Sequence, residues 1–127
     1  MKNNTSNIAV WFEIPATKIK RAIKFYQDIL DIEIVEEEMD GLKLGLFPHD
    51  DKESVSGAII HGMDFGPSKE GSVIYLHGGD DLTVALSKVE GAGGKVIIPK
   101  THLGDEIGHI AHFIDTEGNR IGIHSMR

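Results

Sequence analysis

The chain is written twice, and this duplication constrains its fold more than any other feature. A shift of about 63 residues lays Ile19 on Leu82, Ala22 on Ala85, Ile23 on Leu86 and Tyr26 on Val89. The same shift lays Trp11 on Ile74, Ile60 on Ile123 and His61 on His124. Letters rarely coincide, but apolar positions do. A unit of this size cannot close its own curved sheet, so two units must pack side by side. That packing leaves a concave face between them, and small ligands favour such places.

Each unit reads as strand, helix, then three strands. Ile8 to Ile14 is an apolar run interrupted by one charge, Glu13. Pro15-Ala16-Thr17 ends it, and Thr17 is the expected N-cap of a helix carrying Ile19, Ala22, Ile23, Tyr26 and Leu30 at helical spacing. Asp31 closes that helix, and strands follow at 32–35, 42–47 and 58–61. Gly66 to Gly71 has the composition of a linker. In the second unit, a strand at 73–77 precedes a helix containing Leu82, Ala85, Leu86 and Val89, which the glycines from Gly91 to Gly94 stop. Strands at 95–98, 110–114 and 120–124 complete it, with Asp115-Thr116-Glu117-Gly118-Asn119 as a turn between the last two. Pro99 to Gly108 has no period and reads as a connecting loop, with a lid over the pocket as the alternative. The expectation is one α+β domain over residues 1–127, with repeats over about 8–65 and 71–126. Two βαβββ repeats would form a curved mixed sheet around a concave cavity, helices outside.

Composition removes several classes of function. With 127 residues the chain can bury a core without staples. It has no cysteine, which excludes disulfides, thiolate metal sites and a cysteine nucleophile. The net charge is −7 and basic residues form no stripe, so nucleic acid is not an expected partner. Lys18, Lys20, Arg21 and Lys24 read as the solvated face of the first helix, and Glu36 to Glu38 as an exposed strand end. The opening residues Met1 to Asn7 are polar, and no apolar run is long enough for a signal peptide or a membrane span. A cytoplasmic protein with no membrane partner is the expectation. Neither a dinucleotide or P-loop fingerprint nor a Gly-x-Ser-x-Gly elbow is present.

Four motifs in order carry a resemblance. Trp11-Phe12-Glu13-Ile14-Pro15 followed by Arg21-Ala22-Ile23-Lys24-Phe25-Tyr26 resembles the opening strand and helix of the vicinal oxygen chelate superfamily, which includes glyoxalases, bleomycin-resistance proteins and extradiol dioxygenases. Ala92-Gly93-Gly94-Lys95-Val96 is similar to that superfamily's second-helix ending, and Asp115-Thr116-Glu117-Gly118-Asn119 to its D-P-x-G-N turn. The resemblance spans nearly the whole chain and implies a homodimer. Such a fold hosts isomerases, lyases, dioxygenases and plain binders, so it does not select among them. Members with a metal take ligands from the first and last strands of each repeat. The corresponding positions here fall on Trp11, Ile59, Ile74 (or Ser72 with a gap) and Gly122. None of the first-named four offers a lone pair to a divalent cation. No metal cofactor is therefore favoured, which argues against the metal-dependent activities of the superfamily.

Alternation along a strand places Glu13, His61, Leu76 and His124 on the same concave row, two residues beyond each lost ligand. Glu13, His61 and His124 form the alternative metal set, with a divalent metal as the cofactor. The leading assignment makes Glu13 a general acid or base assisted by His124, with Trp11, His61, Ile74 and Gly122 lining the ligand. Such an enzyme would perform isomerase or lyase chemistry on a small oxygenated metabolite. The alternative is a metal-free protein that sequesters a small molecule on Trp11. His112 reads as a structural histidine, and His49, His77 and His102 as solvated. Tyr75, facing opposite to Ile74, reads as a core residue.

Overall fold

The computed structural model describes residues 7–51, 54–62, 64 and 66–127. The first unit runs β1 (Trp11–Pro15), α1 (Ile19–Leu30), β2 (Val35–Met39), β3 (Leu42–Leu46) and β4 (Ser56–His61). The second runs β5 (Tyr75–His77), α2 (Thr83–Leu86), β6 (Lys95–His102), β7 (His109–Ile114) and β8 (Arg120–Ser125). Each unit supplies one four-stranded sheet, ordered β1-β4-β3-β2 in the first and β5-β8-β7-β6 in the second. In both, the first and last strands of the unit pair in parallel and the other neighbours are antiparallel. This is the α+β duplication expected from the sequence.

One core joins the units. Ile14 and Ile59 from the first sheet, Ile19, Ala22, Phe25, Tyr26 and Ile29 from α1, and Ala111, Phe113, Ile121 and Ile123 from the second sheet are buried in a single cluster. Phe25 and Tyr26 of α1 both lie against Phe113 of β7, with ring centroids 5.7 and 6.5 Å apart. So α1 packs across the boundary between the repeats. The opposite face of each sheet, turned away from this core, is called the open face below.

Several local boundaries differ from those the sequence suggests, each for a physical reason. Residues 8–10 precede β1 without pairing, and Ile8 and Val10 are exposed. Thr17 does not cap α1; the N-cap position is Lys18, whose side chain makes no cap bond. Glu117, from the turn before β8, does that work by accepting the Thr17 and Lys18 amides at 2.9 and 2.8 Å. The helix of the second unit is a single turn, Thr83–Leu86, although Leu82, Ala85 and Val89 are buried as the pattern implies. Beyond it the amides of Lys88 and Val89 bond three residues back rather than four, a tighter winding that short helical pieces adopt. β6 continues past Pro99 to His102, with register shifts between Val96 and Ile98 and between Ile98 and Thr101. A proline that cannot donate to the ladder belongs at such an irregularity. Residues 103–108 therefore close a hairpin between β6 and β7, with Leu103 N bonded to Gly108 O. Asp40-Gly41 joins β2 to β3 with φ of 49° and 83°, the left-handed two-residue turn that Asp-Gly favours.

The 115–119 turn is densely hydrogen-bonded. Asp115 is buried and accepts the Glu117 and Asn119 amides, the Asn119 side-chain amide and, at 2.6 Å, the Tyr26 hydroxyl. Burial, with Asp115 beside it, holds the Tyr26 hydroxyl well above its ordinary pKa and therefore neutral. Asn119 also donates to the Pro15 carbonyl at 2.7 Å and accepts the Ser68 amide at 3.0 Å. Glu117, with its side chain fully buried, binds Arg21 in a fork at 2.7 and 3.0 Å. Burial pushes the Glu117 carboxyl up, but the bonds from Arg21, the Lys18 amide and Thr116 outweigh it and leave the pKa below its ordinary value. Removing Glu117 leaves a helix end uncapped and Arg21 unpaired. The Glu117→Ala variant is expected to lose about 2–4 kcal/mol of stability in urea denaturation, and Thr17→Ala much less. Equal losses would contradict this assignment of the cap.

Candidate functional site

Strand pairing determines which side chains reach the open faces. Glu13 pairs with Ala58, Ala58 with Leu46, and Leu46 with Val35. The open face of the first sheet therefore carries Trp11 and Glu13 beside an apolar field of Leu42, Leu44, Leu46, Ala58 and Ile60, with Val35 and Met39 at its edge. Trp11 is 52% exposed, and its indole N–H points to Glu13 Oε2 at 3.4 Å. Glu13 is exposed rather than held in an apolar pocket.

On the second sheet, Tyr75 pairs with Gly122 and Gly122 with His112. Here the structure corrects the 63-residue alignment by one position. Measured to the first apolar residue of the helical segment, Trp11 is eight residues from Ile19 but Tyr75 is seven from Leu82. One residue reverses the facing of a strand. Tyr75 accordingly lies on the open face, 47% exposed, and Ile74 packs against the core. Ile74 nonetheless borders the cavity between the sheets together with Glu13 and Arg120.

Tyr75 heads a chain of three side chains. Its hydroxyl lies 2.6 Å from His112 Nε2, and Arg120 Nε–H donates to His112 Nδ1 at 2.9 Å. Gly122 makes this possible, since a Cβ there would sit 2.4 Å from Tyr75 Cδ1. The ring instead crosses β8 over bare backbone and reaches β7. Gly122 thus serves the site by lacking a side chain.

The chain fixes its own proton positions. An arginine can only donate, so His112 Nδ1 must carry the lone pair. The neutral imidazole then has its proton on Nε2 and donates it to the Tyr75 oxygen. The Tyr75 O–H is left to donate outward, away from His112. Burial first, and the charge of Arg120 second, hold the His112 pKa below its ordinary 6.5 and favour this neutral form. His112 is only 8% exposed.

Between the two sheets lies a cavity of about 170 Å³ lined by Glu13, Pro15, Ser68, Glu70, Ile74 and Arg120, among others. It brings the carboxylate of the first unit and the guanidinium of the second to one place. Among the described residues, Arg120 forms no ion pair within 4.0 Å.

Other expected site residues are placed apart. His61 follows Ile60 on the helix-facing side, where its Nδ1–H donates to the Ala16 carbonyl at 2.8 Å. Leu76 and Ile59 are in the core. His124 is on the open face, but its Nε2–H is bonded to the Ile107 carbonyl and it lines a different hollow with His77, Gly79 and Asp80. Glu13, His61 and His124 therefore do not converge, and among the described residues no three His, Asp or Glu side chains are grouped to hold a metal. The open-face positions Trp11, Ala58, Tyr75 and Gly122 present an indole, a methyl, a phenol already bonded to His112 and no side chain. A divalent cation is poorly served by that set.

The superfamily profile for Glyoxalase/Bleomycin resistance protein/Dioxygenase matches residues 8–123. The chain belongs to this superfamily. Solved structures share its fold at low sequence identity. A V278E mutant of glyoxalase I from Zea mays superposes with a TM-score of 0.72 at 16% identity, covering 92% of this chain but only 45% of the maize chain. This protein thus spans about half the length of that enzyme. The trypanothione-dependent glyoxalase I of Leishmania major gives 0.67 at 16% identity, covering 95% of this chain and 88% of its own. TnmS3, an antibiotic binding protein from Streptomyces sp. CB03234, gives 0.64 at 17% identity and covers 98% of both chains. No curated protein matches. No helix among the described residues is long and apolar enough to cross a membrane.

Sequence reading missed the Tyr75–His112–Arg120 chain. One signal was available: counting back across the 115–119 turn pairs Ile114 with Arg120 and hence His112 with Gly122. The pKa direction of His112 gives a test with a definite sign. Its unfolded imidazole takes up a proton as pH falls through 6.5 while the folded one resists, so this contribution to stability is complete above 6.5 and declines below it. Between about pH 7.5 and pH 5.5 the wild type is expected to lose more stability than His112→Gln. Parallel losses in urea titrations would show that His112 is not held neutral. Gly122→Ala is expected to displace Tyr75, seen as a shift of the His112 imidazole resonances.

Proposed function

We propose that this protein binds a small molecule across the open faces at the boundary between its two units, without a resident metal. The observation that carries this reading is the seam cavity and what borders it. Glu13 and Arg120 line one hollow, and the half-exposed rings of Trp11 and Tyr75 stand on the first strands of the two sheets. Exposed aromatic rings are platforms for flat ligands. The four open-face positions lack the donor set of a divalent site, and the side chains present suit recognition by stacking and hydrogen bonding. A superfamily member that binds an antibiotic, TnmS3, matches this chain over its full length, which gives the reading a precedent of the same size.

A second copy of the chain is the proposed cover for the first sheet's open face. Val35 and Met39 are 53% and 52% exposed there beside Trp11, and apolar side chains aligned on one face favour burial. This homodimer would enclose the ligand.

One observation supports a second reading, an isomerase or lyase acting on a small oxygenated metabolite with Glu13 as acid or base. The Glu13 carboxylate and the Arg120 cation share the cavity, so a proton acceptor and an electrostatic stabiliser would face the same ligand.

A panel of small aromatic compounds titrated into ¹⁵N-labelled protein tests the first reading. Shifts are expected at the Trp11 indole and at Tyr75, Gly122 and Arg120, and Trp11→Ala is expected to weaken binding about tenfold. Shifts confined to the hollow around His77 and Asp80 would move the site elsewhere. Turnover of any bound compound that is abolished in Glu13→Gln, with affinity retained, would favour the second reading.

A further inference from the structure

We propose that Arg120 binds the carboxylate of a small aromatic acid in the cavity that it lines between the two units. The proposal rests on the ligand-binding reading above and adds the chemistry of what is bound.

Arg120 is half-buried on the open face and permanently charged. Its Nε is used by His112. Its two terminal amino groups make no hydrogen bond and no ion pair among the described residues, although five ion pairs form elsewhere. A partly buried cation without a counter-charge is costly unless something supplies one. Because Nε is held, the guanidinium plane is fixed, and its free edge keeps the two parallel donors that match a carboxylate.

Tyr75 holds His112 from the other nitrogen of the ring. The proton order set by Arg120 makes His112 a donor to the Tyr75 oxygen, so the phenol must donate its own proton outward. Tyr75 and Arg120 are both joined to His112 and both end in unused donors. The free edge of Arg120 offers donors and no acceptor, so it selects an anion over a neutral amide, whose N–H groups would face its own. His112 is then a positioning residue, since it fixes Arg120 without reaching the ligand.

The two carboxylates of the cavity limit the charge of the ligand. Glu13 and Glu70 line it, yet neither comes within 4.0 Å of Arg120. Their repulsion favours a monoanion over a more highly charged ligand. The aromatic preference follows from position, since Trp11 stands one same-face step from Glu13 and the Tyr75 ring lies open on β5.

The test uses benzoate and benzamide, which have nearly the same shape and differ in charge and donors. Each is titrated into the full chain while the emission of its single tryptophan and the ¹⁵N spectrum are followed. Benzoate is expected to bind about tenfold more tightly than benzamide. Arg120→Gln should bring the two affinities together by weakening benzoate alone. Arg120→Lys keeps the charge, guards against a folding defect, and should retain only part of the preference because it lacks the planar fork. Glu13→Gln should tighten benzoate by removing a repulsive charge. Equal affinities in the wild type would overturn the carboxylate while leaving the ligand-binding face in place. A preference unchanged in both Arg120 variants would overturn the role of Arg120. If neither probe binds, the ligand-binding reading falls along with the inference.

Discussion

The structure depends on the way the second repeat grips the helix of the first. Glu117 caps α1 and forks onto Arg21, while Asp115 receives the Tyr26 hydroxyl. These contacts join residues far apart in the chain, and the Glu117, Tyr26 and Asp115 side chains in them are buried. The helix lacks a cap from its own side chains, so its N-terminus relies on a carboxylate from about a hundred residues away. Because Asn119 also holds the Pro15 carbonyl and the Ser68 amide, the same turn fixes the end of β1 and the linker. β1 and β8 are thereby set on either side of the cavity that holds Glu13 and Arg120.

The site follows from a second constraint, the missing side chain at Gly122. The bare backbone lets Tyr75 lie across β8 and meet His112, which in turn holds Arg120. The hydrogen-bonded chain therefore depends on the missing side chain at Gly122. Rigidity comes with it, since each member has only one proton arrangement compatible with a donating guanidinium.

Much of the fold was legible in the sequence because hydrophobic period and turn chemistry are local. The face of α1 that is buried and the alternation in β1 that sends Ile14 inward and Glu13 outward both follow from residue spacing. The facing of β5 was not legible. A connection shorter by one residue inverts a strand, and the apolar letters at 73–76 satisfy either facing. The same uncertainty affected His61, whose strand is buried along most of its length and so carries no alternating signal. The short second helix was over-read, since Leu82, Ala85 and Val89 are buried by a tight turn as well as by a continuous helix.

By itself, the sequence determined the duplicated α+β architecture, the superfamily, and the lack of ligating atoms at Trp11, Ile59, Ile74 and Gly122, because these depend on residue identity and period alone. Only the tertiary structure decided which side chains meet. Tyr75, His112 and Arg120 come together because β5 and β7 flank β8 in register, and Glu13 shares a cavity with Arg120 because the 115–119 turn docks on α1 and β1. Those contacts are set by strand register and long-range packing, and a one-residue slip in either would send the same side chains to the opposite face.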